Sequence, residues 1–274
     1  MRAQIGISSK GANGHEVSRG FSQRLRTFSG AHAVRIIERP DSSIAEHAHD
    51  WPVMSLYVMG SCTRQFDSTA TPMTGPCAVL HPPGQYHSSD VGAVGLEQID
   101  IEFDPAWLRL SDAGSLQRVR HWRGGAIGPA TRRLSQLWTG GAATDSRLSS
   151  ATEAFISVAL RSDEAREPRW LKTVHARLDH EEPPSTDDLA REVDLHPAWL
   201  AQAYRAATGE GLQQRVMRRR VERAALLLRH SAEPAAQIAA EAGFCDQSHM
   251  IRGFRQLLGR TPSQVRAEMT ILTA

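Results

Sequence analysis

Two short stretches carry the residue types that bind metals or polar ligands: His47-Ala48-His49, and Pro82-Pro83-Gly84-Gln85-Tyr86-His87. Alternate side chains of a strand share a face, so His47 and His49, placed at a strand start, can point the same way. Three imidazoles and a water make an acceptable coordination sphere for Zn²⁺ or another divalent ion. Tyr57 and Glu97 are further candidates for the same cavity. The cysteines stand apart: Cys62, Cys77 and Cys245 are odd in number, widely separated and free of CxxC spacing, which signals neither a disulfide framework nor a thiolate zinc site. A reducing cytoplasm is the expected setting. No catalytic acid and base pair is legible, and no residue is assigned a catalytic role.

A second constellation lies toward the C-terminus. LAREVDLHPAWLAQAYRAATGEGLQQ, from Leu189, repeats as IAAEAGFCDQSHMIRGFRQLLGRTPSQ, from Ile238. Ala190 matches Ala239 and Glu192 matches Glu241. After one extra residue in the second copy, Leu200, Tyr204, Arg205 and Gly209 match Met250, Phe254, Arg255 and Gly259. Each copy reads as a short helix, a tight turn and a second helix. Small alanines let the helices approach, and Asp194 or Gly243 tolerates a positive φ at the turn.

The stretch GFCDQSHMIRGFRQLLGRTPSQVR resembles the C-terminal signature of AraC/XylS-type transcriptional regulators, and MRRRVERAALLL resembles the helix joining that family's two helix-turn-helix units. The likeness covers about 90 residues. Arg215 and Val265 stand where the family usually has an aromatic, and Met250 where it usually has Phe. The resemblance implies that the second helix of each unit enters the major groove. The first would run from Pro197 to about Thr208 and present Ala198, Ala201 and Gln202. The second would run from Asp246 to about Leu258 and present Gln247, Ser248, His249 and Arg252. Gln pairs bidentately with adenine and Arg with guanine, whereas alanines suit thymine methyls and leave affinity to phosphate contacts. Arg220 falls where the family keeps a structural arginine and is left out of the contact set. Trp199 fits either a core or a groove edge.

These side chains need elements to hold them. From Val34 to Phe103 the texture is that of strands, with VRII at 34 to 37, VMSLYVM at 53 to 59, CAVL at 77 to 80, and Ile99, Ile101 and Phe103 alternating with Asp100 and Glu102. Gly, Pro, Ser and Asp punctuate the runs, as suits antiparallel strands in a barrel or sandwich. The two histidine stretches resemble the halves of a cupin metal motif, H-x-H and P-x-G-x-x-H, and that likeness implies three imidazoles at one barrel mouth. Val53 or Met54 stands at the carboxylate position of that motif, and no Asn follows His87. A pocket lined by histidines without metal, or histidines that are only structural, are the other readings.

Asp104-Pro105 suits a helix start. Beyond it Leu134, Leu137 and Trp138, then Phe155, Val158 and Ala159, recur at helical spacing around Gly140-Gly141, giving a helical hairpin that packs on the barrel or forms a dimer surface. Trp170 to His180 reads as helix, Glu181-Glu182-Pro183-Pro184 as a boundary, and Ser185 with Asp188 as a capping box.

The chain has 274 residues, 41% hydrophobic and 23% charged, more than one typical domain needs. Net charge is +2, too small alone to indicate nucleic acid, but from Ser185 onward 12 Arg and no Lys meet 10 acidic residues, with Arg218, Arg219, Arg220 and Arg223 clustered. No apolar signal core or membrane-length run is present, so neither secretion nor insertion is expected.

The expectation is therefore a two-domain α+β chain. It comprises a polar tail over 1–20, a cupin-like barrel over 21–105, a helical hairpin over 106–168, and a tandem helix-turn-helix domain over 169–274. The function expected is a sequence-specific, effector-responsive transcription factor and not an enzyme. Its partners would be promoter DNA, a small-molecule or metal effector, RNA polymerase and a second copy of the chain, with no membrane. No cofactor is assigned beyond a divalent metal, such as zinc, at His47, His49 and His87. The rival is a cupin-type metalloenzyme fused to a DNA-binding module, and a third reading is an architectural DNA binder.

Overall fold

A computed structural model of the chain describes residues 21–28, 30–66, 69–74, 76–107, 116–123, 127–140, 142–162, 168–178 and 183–273. The expected tail over 1–20, and Gly141, His180, Glu181 and Glu182, lie outside the described residues. The chain separates into two compact units, Met1–Trp122 with Arg133–Glu164, and Arg123–Arg132 with Ala165–Ala274.

The first unit is built on one eight-stranded sheet. Its strands are β1 (Phe21–Phe28), β2 (Ala31–Glu38), β3 (Ser43–His47), β4 (Val53–Phe66), β5 (Thr69–Thr74), β6 (Cys77–His81), β7 (His87–Phe103) and β8 (Arg120–Arg123). The order is β1-β2-β7-β4-β6-β8, with β3 on β7 and β5 on β4. The pairs β1–β2, β2–β7, β3–β7, β4–β5, β4–β6 and β4–β7 are all antiparallel. β4 and β7 are each long enough to serve three partners, which requires the sheet to bend. Register shifts between Tyr57 and Met59 and between Gly60 and Cys62 provide the bend. Gly60 (φ 82°) sits at this point, where a Cβ would collide with the Gly95 carbonyl.

Alternation decides which side chains meet. On β7, Ile99, Ile101 and Phe103 are buried on one face, opposite Leu56 and Met54 of β4 for the two isoleucines. Gln98, Asp100 and Glu102 occupy the other face, paired with Tyr57, Ser55 and Val53. Tyr57, Cys62, Phe66, Cys77, Val79 and Val91 share one apolar cluster. Each such residue stabilises the fold by roughly 1.5–3 kcal/mol through removal from water.

Several expectations change. β1, β3 and β5 were not legible as strands, and β8 lies in a segment read as helical. The predicted helix start at Asp104-Pro105 is a turn, in which the Asp104 carboxylate accepts from the Ala106 N–H (2.8 Å) and its carbonyl from Trp107 (3.0 Å). His47 closes β3, so the H-x-H stretch sits at a strand end, because pairing of β3 with β7 stops at His47–His87.

The hairpin expected around Gly140 consists of α1 (Ile127–Thr139) and α2 (Asp145–Arg161). Trp138 Nε1 donates to Thr152 Oγ1 across it (3.2 Å). Leu134, Trp138, Phe155 and Ala159 are buried, but Val158 is 45% exposed, so the apolar stripe is narrower than its spacing suggested. Arg120 donates to the Leu160 and Ser162 carbonyls, satisfying orphan acceptors at the end of α2.

The second unit is helical: α3 (Arg169–Leu178), α4 (Thr186–Glu192), α5 (Pro197–Thr208), α6 (Leu212–His230), α7 (Ala235–Glu241), α8 (Gln247–Leu258) and α9 (Pro262–Thr273). Ser185 caps α4 by accepting from Asp188 N–H, and its hydroxyl donates to the Asp188 carboxylate (2.7 Å). Asp194 (φ 53°) and Gly243 (φ 82°) take the left-handed conformation at the two turns, as the repeat required. Gly209 and Gly259 end α5 and α8 in the same conformation. Val265 and Met250 are fully buried where the resemblance implies aromatics, so aliphatic side chains fill those places.

The arginine cluster differs from a simple basic patch. Arg218 is 4% exposed and pairs with Glu210, donating Nε to Oε2 at 3.1 Å, and lies 3.9 Å from Glu222. Arg219 also reaches Glu222. The carboxylates offset the cost of taking this charge out of water, so part of the cluster is internal. Arg220 runs alongside the turn at Gly243, its Nε 3.4 Å from where a Cβ would stand.

Candidate functional site

His47, His49 and His87 come together, each offering a ring nitrogen within 4.8 Å of the others. The rings of His47 and His87 are centred 4.4 Å apart, those of His49 and His87 5.3 Å. His47 Nδ1 lies 2.9 Å from the Ala45 carbonyl and His87 Nδ1 3.1 Å from that of Gln85. A carbonyl only accepts, so each Nδ1 carries the proton and each Nε2 keeps its lone pair. Metal-ligating histidines commonly donate their other ring N–H to a backbone carbonyl in this way, and His87 Nε2 is buried without a hydrogen-bond partner. Tetrahedral zinc places its nitrogens about 3.4 Å apart, against a span of up to 4.8 Å for these atoms. The donor set therefore fits a divalent ion. Val53 and Met54 are buried apolar side chains, so no carboxylate stands at their positions.

Burial keeps these imidazoles neutral. It lowers the pKa of His47 and of His49, and with Arg64 and the neighbouring rings it pushes His87 down to about 2. Neutral imidazole is the form that binds a metal.

Two residues of this pocket were missed. His81, fully buried at the end of β6, has its ring centre 4.3 Å from that of His87, and neither of its nitrogens has a hydrogen-bond partner. Its signal was its period-2 relation to Cys77 and Val79, whose side chains join the interior cluster. Arg64, 1% exposed, stands two residues after Cys62, with its guanidinium 5.6 Å over the Tyr57 ring. It gave little signal, because a single Arg in a strand usually faces solvent. Tyr57 does line this interior, as expected. Glu97 does not: its neighbour Gln98 faces Arg64, and Glu97 is paired with Arg35 at 2.9 Å, both almost wholly buried. A one-residue step along a strand reverses the face.

The second constellation is on α5 and α8, whose bounds match the expected recognition helices. His196 Nδ1 accepts from Ala198 N–H at the start of α5, and the Asp246 carboxylate accepts from His249 N–H (2.7 Å) at the start of α8. Leu200, Tyr204, Met250 and Phe254 are fully buried, which fixes the rotation of both helices. Ala198, Ala201 and Gln202 are exposed on α5, and Gln247, Ser248 and Arg252 on α8. His249 is half-buried, with its ring edge against Phe244 at 5.3 Å, so it is less available than the others. Trp199 is 50% exposed and meets Trp170 edge to face, which places it at the surface. Arg205 and Arg255, exposed one turn further on, were not in the expected set.

Comparison with known proteins agrees with this geometry. A helix-turn-helix domain family matches residues 189–268. An uncharacterized HTH-type transcriptional regulator of Escherichia coli strain K12, YidL, is 22% identical over 267 residues, 92% of this chain and 88% of its own length. The HTH-type transcriptional activator RhaR of Escherichia coli is 24% identical over 87% of this chain and 93% of its own. The regulatory protein SoxS of Salmonella typhimurium is 30% identical over 86 residues, 31% of this chain and 80% of SoxS. No helix among the described residues is long and apolar enough to cross a membrane. With two capped helix-turn-helix units in tandem and regulators as its relatives, the chain belongs to the AraC/XylS-type family of DNA-binding transcriptional regulators.

Proposed function

We propose that the chain is a sequence-specific transcription factor in which α5 and α8 read promoter DNA and the sheet unit binds a small-molecule or metal effector. The observation that carries the reading is the paired exposure of Gln202 on α5 and Gln247, Ser248 and Arg252 on α8, on helices whose opposite sides are locked into cores. Gln247 and Arg252 supply direct readout of adenine and guanine, while Ala198, Ala201 and Gln202 give the first helix a thymine-tolerant, weaker code. Ser248 and His249 complete the contact set, and Arg205 and Arg255 add charge for phosphates.

The division into a barrel over 21–105, a helical linker over 106–168 and a DNA-binding domain over 169–274, after a tail over 1–20, follows from this reading. α1 and α2 are its dimer surface, with RNA polymerase as a further partner. His47, His49 and His87 would hold a divalent ion, zinc by ligand type, and that ion would supply a Lewis-acid contact to the effector. What favours this over a pocket merely lined by histidines is the pair of Nδ1 contacts to carbonyls, which leaves two Nε2 lone pairs available. The rival, a cupin-type metalloenzyme, normally keeps a carboxylate ligand where Val53 or Met54 stands here.

The test is selection from a random duplex pool with the full chain, followed by titration at several salt concentrations. One motif should be enriched, with affinity falling steeply as salt rises. Failure to enrich any sequence would overturn the proposal.

A further inference from the structure

The interior of the sheet unit holds a cation that the histidine chemistry does not use. Arg64 is 1% exposed, yet among the described residues no carboxylate lies within ion-pair distance of it. Its Nη2 donates to the neutral amide oxygen of Gln98 at 3.1 Å, and its Nε has no hydrogen-bond partner. Gln98 cannot turn away, because its own NH₂ is held by both oxygens of Asp100 at 3.1 and 3.0 Å. The amide therefore presents its oxygen to Arg64 and fixes one edge of the guanidinium. A charge taken out of water is costly unless paired and hydrogen-bonded, so a buried guanidinium with one edge committed and Nε unengaged calls for an anion.

Strand register shows what else surrounds that edge. Arg64 pairs across β4–β7 with Ser89, and the next inward pair is Phe66 with His87. Ser89 is 2% exposed and its Oγ has no hydrogen-bond partner. Arg64 and Ser89 thus place an N–H and an O–H donor side by side on the interior face, with Phe66 and Val91 as apolar walls. A planar guanidinium edge beside a hydroxyl matches the two oxygens of a carboxylate. A carboxylate can turn its apolar substituent toward Phe66 and Val91, whereas a phosphate would set further charged oxygens against those walls.

We propose that this pocket binds a small organic carboxylate, anchored by Arg64 and Ser89 and oriented by the Gln98–Asp100 relay. The assignment rests on the effector-binding reading of the sheet unit and names the class of that effector.

The full chain, freed of metal by a chelator, is melted in the presence of acetate, butyrate or benzoate and, separately, of acetamide, butyramide or benzamide at matched concentrations. A ligand that binds only the folded state raises the melting temperature. The carboxylates should raise it and the amides should not. Arg64→Met should abolish the difference while raising the melting temperature of the ligand-free protein, since it removes an unpaired buried charge. Ser89→Ala should weaken carboxylate binding and retain it. Should Arg64→Met fail to fold, Arg64→Lys keeps the charge without the planar edge and should bind about ten- to a hundredfold more weakly, the worth of a lost charge-assisted bond. Equal shifts from acids and amides, no shift from either, or full carboxylate binding by the Arg64 variants would each overturn the proposal. Duplex selection without added carboxylate reports separately on DNA recognition, so one assignment can fail while the other stands.

Discussion

Lowering the pH from about 7.5 to about 5, with a chelator present, should weaken the fold through His87. The side chain is 1% exposed, and burial, reinforced by Arg64 and the rings of His47 and His49, pushes its pKa down to about 2. In the unfolded chain the same imidazole titrates near about 6.5. Between those values the unfolded state holds a proton that the folded state lacks. Stability is therefore intact above the unfolded pKa and declines as pH falls below it, until the folded group itself is protonated near 2. At about pH 5 the system is about 1.5 units below the unfolded value, and each unit is worth about 1.4 kcal/mol, so His87 alone should account for a loss of about 2 kcal/mol. His81, fully buried, is shifted the same way by the same cause and steepens the decline. Urea unfolding of the wild type and of His87→Leu at both pH values reads the effect directly. The variant should lose about one proton's share of the slope. A variant whose stability falls with pH as steeply as the wild type would refute the reasoning, because it would mean that His87 takes up its proton without unfolding.

Arg252→Ala should relax preference at one position of the selected site by roughly 1–3 kcal/mol, and Gln247→Ala at a neighbouring one. Equal weakening across all sequences would make Arg252 a phosphate clamp. Protein purified without a metal-binding tag should carry close to one divalent ion per chain by elemental analysis, and His87→Ala should lose it, since two imidazoles hold zinc poorly. Metal-free wild type would remove the ion from the scheme and leave a histidine-lined pocket. Glu210→Ala should destabilise the helical unit by about 3–5 kcal/mol in thermal or urea melts, because it strands the buried Arg218 charge, whereas Gly243→Ala should cost about 1–2 kcal/mol through its positive φ alone. Near-neutral Glu210→Ala would show that Arg218 finds water or Glu222 instead.

What the sequence determined by itself is local. Both turns of the helix-turn-helix units, the cap at Ser185, and the positive φ at Asp194 and Gly243 were legible because each is satisfied by backbone groups within a few residues. The inward set Leu200, Tyr204, Met250 and Phe254 was legible for a similar reason: helical periodicity and the internal repeat report the same face twice. The strands with clean alternation, such as Ile99, Ile101 and Phe103, were also readable. β1, β3 and β5 were not, since their pairing, not their composition, makes them strands. The tertiary structure alone decided which polar residues meet. Arg35 and Glu97 are 62 positions apart and Arg64 and Gln98 34, and nothing local distinguishes Glu97, lost to an ion pair, from Gln98, held in the pocket. Register makes that choice, because one step along a strand moves a side chain to the opposite face. Arg218 turned inward for a comparable reason: burial on α6 brought Glu210 and Glu222 to it, and that pairing offsets the cost of taking the charge out of water.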